Sequence, residues 1–227
     1  MLLFQLKPYM FLVLCIFAFF GVNAQAIRGF GNYSIYFNEN QEKIKEIQGG
    51  LDYNDLPIAF QISFSYFNNR NRFQENYDYD NYVLEKLTTR SSAINSAIGL
   101  KFYNVFSNNE EYSSSGLEYY IMPKLNVARI NATGNFSSSN YFNPSSSFTQ
   151  DISITNWQVY FGIEFGYEFF LSERSYNSIA VSVNYNRLNL GKPLSKLPYN
   201  NFDYSEHDNF GLGVYFFLDL NKFNRKK

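Results

Sequence analysis

His207 is the only histidine in the chain and sits in Asp203-Tyr-Ser-Glu-His-Asp208. A histidine with a serine and an aspartate is the raw material of acyl transfer. The imidazole takes the hydroxyl proton and the carboxylate orients the ring. Ser205 and Asp208 supply the right residue types. Triads, however, are assembled by geometry across a fold rather than by adjacency, and no Gly-x-Ser-x-Gly elbow marks a nucleophile. His207 is therefore read as a solvated loop residue, with a hydrolase or acyltransferase using it kept as an alternative. One histidine and one cysteine, Cys15, do not make a zinc set. Glu75, Asp78 and Asp80 offer oxygens to calcium but lack the spacing of a calcium loop. No glycine-rich phosphate loop is present. No catalytic, metal-binding or cofactor-binding residue is assigned, and no cofactor is expected.

A second set of charged residues carries more information. Lys101, Glu118, Lys124, Glu164, Glu168 and Asp219 all fall at alternate positions of period-2 segments, on the face opposite the large apolar residues. In a strand, successive side chains point to opposite faces. These six residues are expected to share an interior, with Lys101 and Lys124 paired to Glu118, Glu164 and Glu168. Tyr120, Tyr160 and Phe217 have the same parity, and such bulk favours a filled interior over an open path. Read this way, the six form a polar network rather than catalytic acids.

The element that must position them is clearest at Trp157–Phe170. Trp157, Val159, Phe161, Ile163, Phe165, Tyr167 and Phe169 alternate with Gln158, Tyr160, Gly162, Glu164, Gly166 and Glu168. The run is about twice a usual strand length. A strand that crosses a bilayer needs ~9–11 residues, apolar towards lipid, with aromatics at the interfaces. Seven further segments alternate similarly: about 28–37, 43–52, 58–66, 93–104, 116–128, 179–186 and 210–219. Gly49-Gly50 predicts a bend in the second and Pro123 predicts a bulge in the fifth. The third, fifth and seventh connections, about 68–92, 129–151 and 191–208, are long, polar and rich in Asn, Ser and Tyr. The second, fourth and sixth are shorter, and the first, about 38–42, departs from the alternation by being short too. Long loops at one end and short turns at the other are the habit of outer-membrane barrels. The expected fold is all-β, an eight-stranded antiparallel up-and-down transmembrane β-barrel.

Composition agrees. Of 227 residues, 45% are hydrophobic, 20% aromatic and 17% charged, with a net charge of -1. Mean hydropathy is only -0.31. Many aromatics at modest hydropathy suit a wall whose alternate residues face lipid. The charge balance gives no reason to expect nucleic acid. Residues 1–24 read as a cleaved signal peptide: Lys7, an apolar run from Met10 to Phe20, then Val22-Asn23-Ala24. Residues 25–227 are then one barrel domain.

On these segments and loop lengths, the chain resembles the small eight-stranded outer-membrane barrels of the OmpX, OmpA-transmembrane and PorT-like type. The resemblance implies outer-membrane location and contact with its lipid. It also implies a structural, adhesive or protein-interaction role through extracellular loops, with envelope or secretion-machinery proteins as partners. A narrow pore for ions or small solutes is the alternative, and a soluble lipocalin-like barrel is a third reading. The small-molecule ligand is unknown. The resemblance also implies a terminal assembly signal, at Val214 to Leu220 or involving Phe223.

Overall fold

The period-2 pattern becomes a closed sheet. The computed structural model describes residues 26–38, 43–55, 57–69, 72–105, 116–172, 175–197, 202 and 208–221. Among them run β1 (Ala26–Phe37), β2 (Lys43–Asp55), β3 (Ile58–Asn69), β4 (Arg72–Asp78), β5 (Val83–Tyr103), β6 (Leu117–Asn140), β7 (Phe148–Ser172), β8 (Ser175–Asn186) and β9 (Asn209–Asp219). Every pairing is antiparallel; β9 returns to β1, and β3 pairs with β5. The ring closes through eight strands, so the up-and-down barrel expected from the alternation is the observed fold. Closure leaves the ring without an edge, the condition for a sheet surrounded by lipid.

The wall is polar within and apolar without. Arg28, Asn32, Gln48, Ser63, Asn95 and Glu164 are among its buried side chains, while Phe64, Trp157, Val159, Leu212 and Leu218 are exposed. From Trp157 to Phe169 is about 40 Å of strand at ~3.4 Å per residue. At the ~35–45° tilt usual for such barrels that is about 30 Å, the thickness of a hydrocarbon core. Tyr119 and Tyr167 meet edge-on at the end where β1 begins and β9 ends, the lower end, with centroids 6.4 Å apart. The upper boundary is equally definite. Arg129 lies opposite Ile94 on β5 and Trp157 on β7, and above it the outward residues turn to Asn131, Thr133 and Asn135.

Four local expectations need correction. The segments 68–92 and 129–151 are largely strand rather than loop. β4 takes up the pairing with β5 above β3, from Arg72 opposite Thr89 to Asp78 opposite Val83. β6 and β7 stay paired up to Ser138 opposite Phe148. β4 is thus a ninth strand outside the ring. Gly49-Gly50 makes no bend, because β2 keeps register with both neighbours. Gly50 instead allows close approach: a Cβ there would lie 2.9 Å from Phe30 Cε1 and from Ser63 Cα. Pro123 makes no bulge either. The β5–β6 ladder skips it and resumes in the same register, Gly99 opposite Lys124 and Phe102 opposite Ile121. Proline withdraws a donor without needing an extra residue. A register shift occurs instead between β7 and β8, at Phe170/Ser172.

Candidate functional site: the barrel interior and the raised sheet

At the lower end β1 projects Arg28, β2 Asp52, β5 Lys101 and β7 Glu168 into the lumen, and all four side chains are fully buried. Arg28 Nη2 lies 2.5 Å from Asp52 Oδ2, and its Nη1 donates to Glu168 Oε1. Lys101 Nζ lies 3.3 Å from both Asp52 and Glu168. Tyr103 and Ser178 hydroxyls donate to Glu168 at 2.7 and 2.5 Å. Two cations and two anions cancel, which is how charge survives burial. The Phe217 ring adds its face, 4.4 Å from the Arg28 guanidinium and 4.3 Å from Lys101 Nζ.

A second cluster sits above it. Glu164 Oε1 accepts from Tyr120 at 2.6 Å, and Oε2 from Lys124 at 2.5 Å and Tyr215 at 2.6 Å. Gly166, on β7 opposite Tyr120, leaves room for that ring: a Cβ there would come within 2.6 Å of Tyr120 Cε1. Gln48 donates to Ser63 at 2.7 Å and accepts from Asn32 at 3.1 Å. Higher still, Tyr36 donates to Glu46 at 2.8 Å. A cavity of about 20 Å³ lies among Tyr36, Glu46, Lys124, Tyr160 and Asn184. The top is apolar. Leu188 and Leu190, from the segment after β8, pack with Tyr36, Ile44, Phe67 and Ile130.

The six residues singled out by sequence divide. Lys101, Lys124, Glu164 and Glu168 are in the two clusters, as Lys101–Glu168 and Lys124–Glu164 pairs. Glu118 is also buried but accepts from Asn104. Asp219 caps the lower end, accepting from Tyr176 N at 3.4 Å and Asn221 N at 3.0 Å. Among the described residues, neither joins a lysine. Sequence reasoning passed over Arg28, Asp52, Glu46 and Tyr103. Parity held the signal, since Arg28 continues Asn32 and Ser34, and Asp52 continues Glu46 and Gln48. Ser205, His207 and Phe223 lie outside the described residues. Among the described residues no three His, Cys, Asp or Glu side chains gather as a metal site.

Above the boundary, β4 to β7 rise as a four-stranded sheet. Its inner face carries Leu87, Ala132, Phe136 and Ile152, which bury Leu194 and Phe202 from the β8–β9 connection. The upper part of β5, Val83 to Ser91, is roughly 30 Å long at ~3.4 Å per residue. Its hairpin tips are aromatic. Tyr77 meets Tyr79 at 4.6 Å and Tyr82 meets Phe142 at 4.5 Å. Tyr79 is 78% exposed and Phe142 75%. Asp78 closes the β4–β5 turn by accepting from Asn81 Nδ2 at 2.8 Å, Asp80 N at 3.0 Å and Asn81 N at 3.2 Å. The Asn81 side chain and then its backbone amide hold the Asp78 carboxyl below the usual range. The Lys86 ammonium is raised by its hydrogen bond and charge pairing with Glu75, at 2.8 Å.

No family model matches the chain, and no curated protein matches it. Among solved structures the chain is similar to small outer-membrane barrels. Neisserial surface protein A is 9% identical, with TM-score 0.41, over 84% of this chain and 94% of that one. A major outer membrane protein of Thermus thermophilus is 8% identical, with TM-score 0.44, over 86% and 100%. Ail, the attachment invasion locus protein of Yersinia pestis, solved with the heparin analogue sucrose octasulfate, is 12% identical, with TM-score 0.34, over 85% and 97%. The polarity of the wall stands independently of these likenesses. It is a transmembrane barrel.

Proposed function

We propose that the chain is an integral outer-membrane barrel whose work is contact, made by the raised β4–β7 sheet above a closed lumen. It is exported through residues 1–24, a signal peptide that is then cleaved. The observation that carries the reading is the sheet's crown of exposed aromatics, Phe73, Tyr79, Tyr82, Tyr141 and Phe142, among Asn, Asp and Ser. Rigid aromatics among small polar residues make adaptable contact surfaces, because tyrosine gives large amphipathic area at low entropic cost. Exposed apolar patches rimmed by polar groups mark interaction sites. The partners this favours are outer-membrane lipid around the wall and envelope, secretion-machinery or host-surface molecules at the crown. The interior network of Lys101, Lys124, Glu164 and Glu168 serves the wall and not a reaction.

The narrow-pore reading has less support. Buried ion pairs, with Tyr215 and Phe217 stacked against them (5.6 Å), fill the lower lumen, and the Leu188–Leu190 cap lies above. Cells displaying the protein should adhere to protein- or glycan-coated surfaces, and Tyr79→Ser/Phe142→Ser should reduce adhesion without lowering the amount displayed. Purified protein in a planar bilayer should give no reproducible conductance. Undiminished adhesion by the double variant would reject the crown as the contact surface, and steady single-channel currents would reject the closed lumen.

A further inference from the structure

A slot opens on the outer side of the wall, in its lower half. Its two sides are rows of outward residues. Tyr119, Tyr167 and Val181 stand opposite one another on β6, β7 and β8, and Ile121, Phe165 and Val183 do the same one row higher. The floor is the row between, Tyr120, Gly166 and Ser182, of which the tyrosine and the serine turn inwards. Their polar groups are engaged in the lumen. Tyr120 donates to Glu164 at 2.6 Å and Ser182 to Asn184 at 3.2 Å. The two valines leave the space, being short between the rings of β7 and Leu212 on β9. The slot holds about 310 Å³, within the ~300–1,000 Å³ usual for ligand sites. Among the described residues that line it, none carries a charge.

Shape and depth select the guest. The two rows are two residues apart along each strand, ~7 Å, and the slot crosses three strands, ~10 Å. That is a groove for something narrow and apolar. A second barrel fits it poorly, because two convex walls touch along their ridges and leave the floor empty. Lipid tails are as apolar as leucine, so escape from water drives nothing at this depth, and packing decides. A chain lying on the convex wall meets protein on one side only. In the slot it meets the floor and both rows, and each added contact brings dispersion attraction. Tyr119 and Tyr167 lie at the lower end, where tyrosines sit at headgroup level. We propose that the slot binds one acyl chain of a phospholipid of the lower leaflet, with its headgroup beside these two tyrosines. The proposal rests on the membrane-spanning reading of the wall.

The test is native mass spectrometry of the purified full-length barrel, delipidated in detergent and titrated with palmitoyl-oleoyl phosphatidylethanolamine. The unaltered protein should take up one lipid before a second adduct is seen. Val181→Phe fills the slot and should lose that first adduct. Ile47→Phe, at an exposed position on β2 away from the slot, should keep it. If Val181→Phe does not fold, crystals of the unaltered protein grown with the same lipid brominated in its acyl chain should show an anomalous peak between Phe165 and Val183. No discrete single adduct, an undiminished first adduct in Val181→Phe, its equal loss in Ile47→Phe, or no bromine peak there would overturn the proposal. A two-barrel mass that Val181→Phe disperses would overturn it in favour of a second copy. Recovery of the protein in the soluble fraction without detergent would instead overturn the membrane reading, and the proposal with it.

Discussion

Arg28 and Glu168 lie 140 residues apart and meet as a fully buried ion pair near the lower end of the lumen. Arg28 also binds Asp52, so one guanidinium ties β1 to β2 and, across the lumen, to β7. Removing one partner of a buried pair strands the other charge, at a cost of about 3–5 kcal/mol. Arg28→Met should lower barrel stability by that order, read as the urea midpoint of unfolding from detergent. Arg28→Met with Asp52→Asn should be less destabilised than Arg28→Met alone, because the stranded carboxylate is gone. Equal losses in the two would show that the pairing does not matter.

Gly166→Ala puts a methyl against the Tyr120 ring, whose hydroxyl bonds Glu164. Overpacking of this kind costs ~1–3 kcal/mol. The expected result is a destabilised barrel that Tyr120→Phe does not rescue and Tyr120→Ala partly does. The heat-modifiable shift on gels, which separates folded from unfolded barrel, measures it.

Phe136 holds the β8–β9 segment to the raised sheet, with Phe202 at 6.2 Å. Phe136→Ala should remove about 3–5 kcal/mol of local packing. The ring below does not depend on it. Limited proteolysis should then cut within residues 187–197 faster than in the unaltered protein, while the barrel remains folded.

At the hairpin tip, Asp78 has its folded pKa lowered by Asn81. Its contribution to turn order is present above the unfolded value, ~3.9, and is lost as pH falls through the lower folded value. A carboxyl NMR titration should place its midpoint below the ordinary one, and Asn81→Ala should move it back up.

Much of the architecture was legible because one physical rule, the alternation of faces, applies along every stave. The rule was masked in two places. Along Thr88–Arg90 and Asn131–Asn135 the outward residues are as polar as loop residues, so the raised sheet read as loop. Its pattern survives only in the inward set, Leu87, Ala132, Phe136 and Ile152. Arg28 and Asp52 looked like strand ends, although they keep the inward parity. Parity also says which residues point inwards, not which meet. Lys124 and Glu164, on neighbouring strands, belong to the group of two lysines and three glutamates that parity places together, without saying which lysine meets which glutamate. Arg28 and Glu168 meet only once the sheet curls round and closes, and Glu118, although inward, finds Asn104 instead of a lysine.

The outward face of the ring lies in lipid, with its upper boundary at Arg129 and Trp157. Trp157 is the only tryptophan and is 63% exposed on that face, so it reports its own depth. The measurement is quenching of its fluorescence in bilayers of lipids brominated at known depths. Emission should be blue-shifted from that of tryptophan in water and quenched most by bromines near the headgroups. A Phe165→Trp/Trp157→Phe variant should be quenched most by bromines near the midplane. Aqueous emission from both, quenched by iodide and by none of the brominated lipids, would contradict the membrane-spanning barrel.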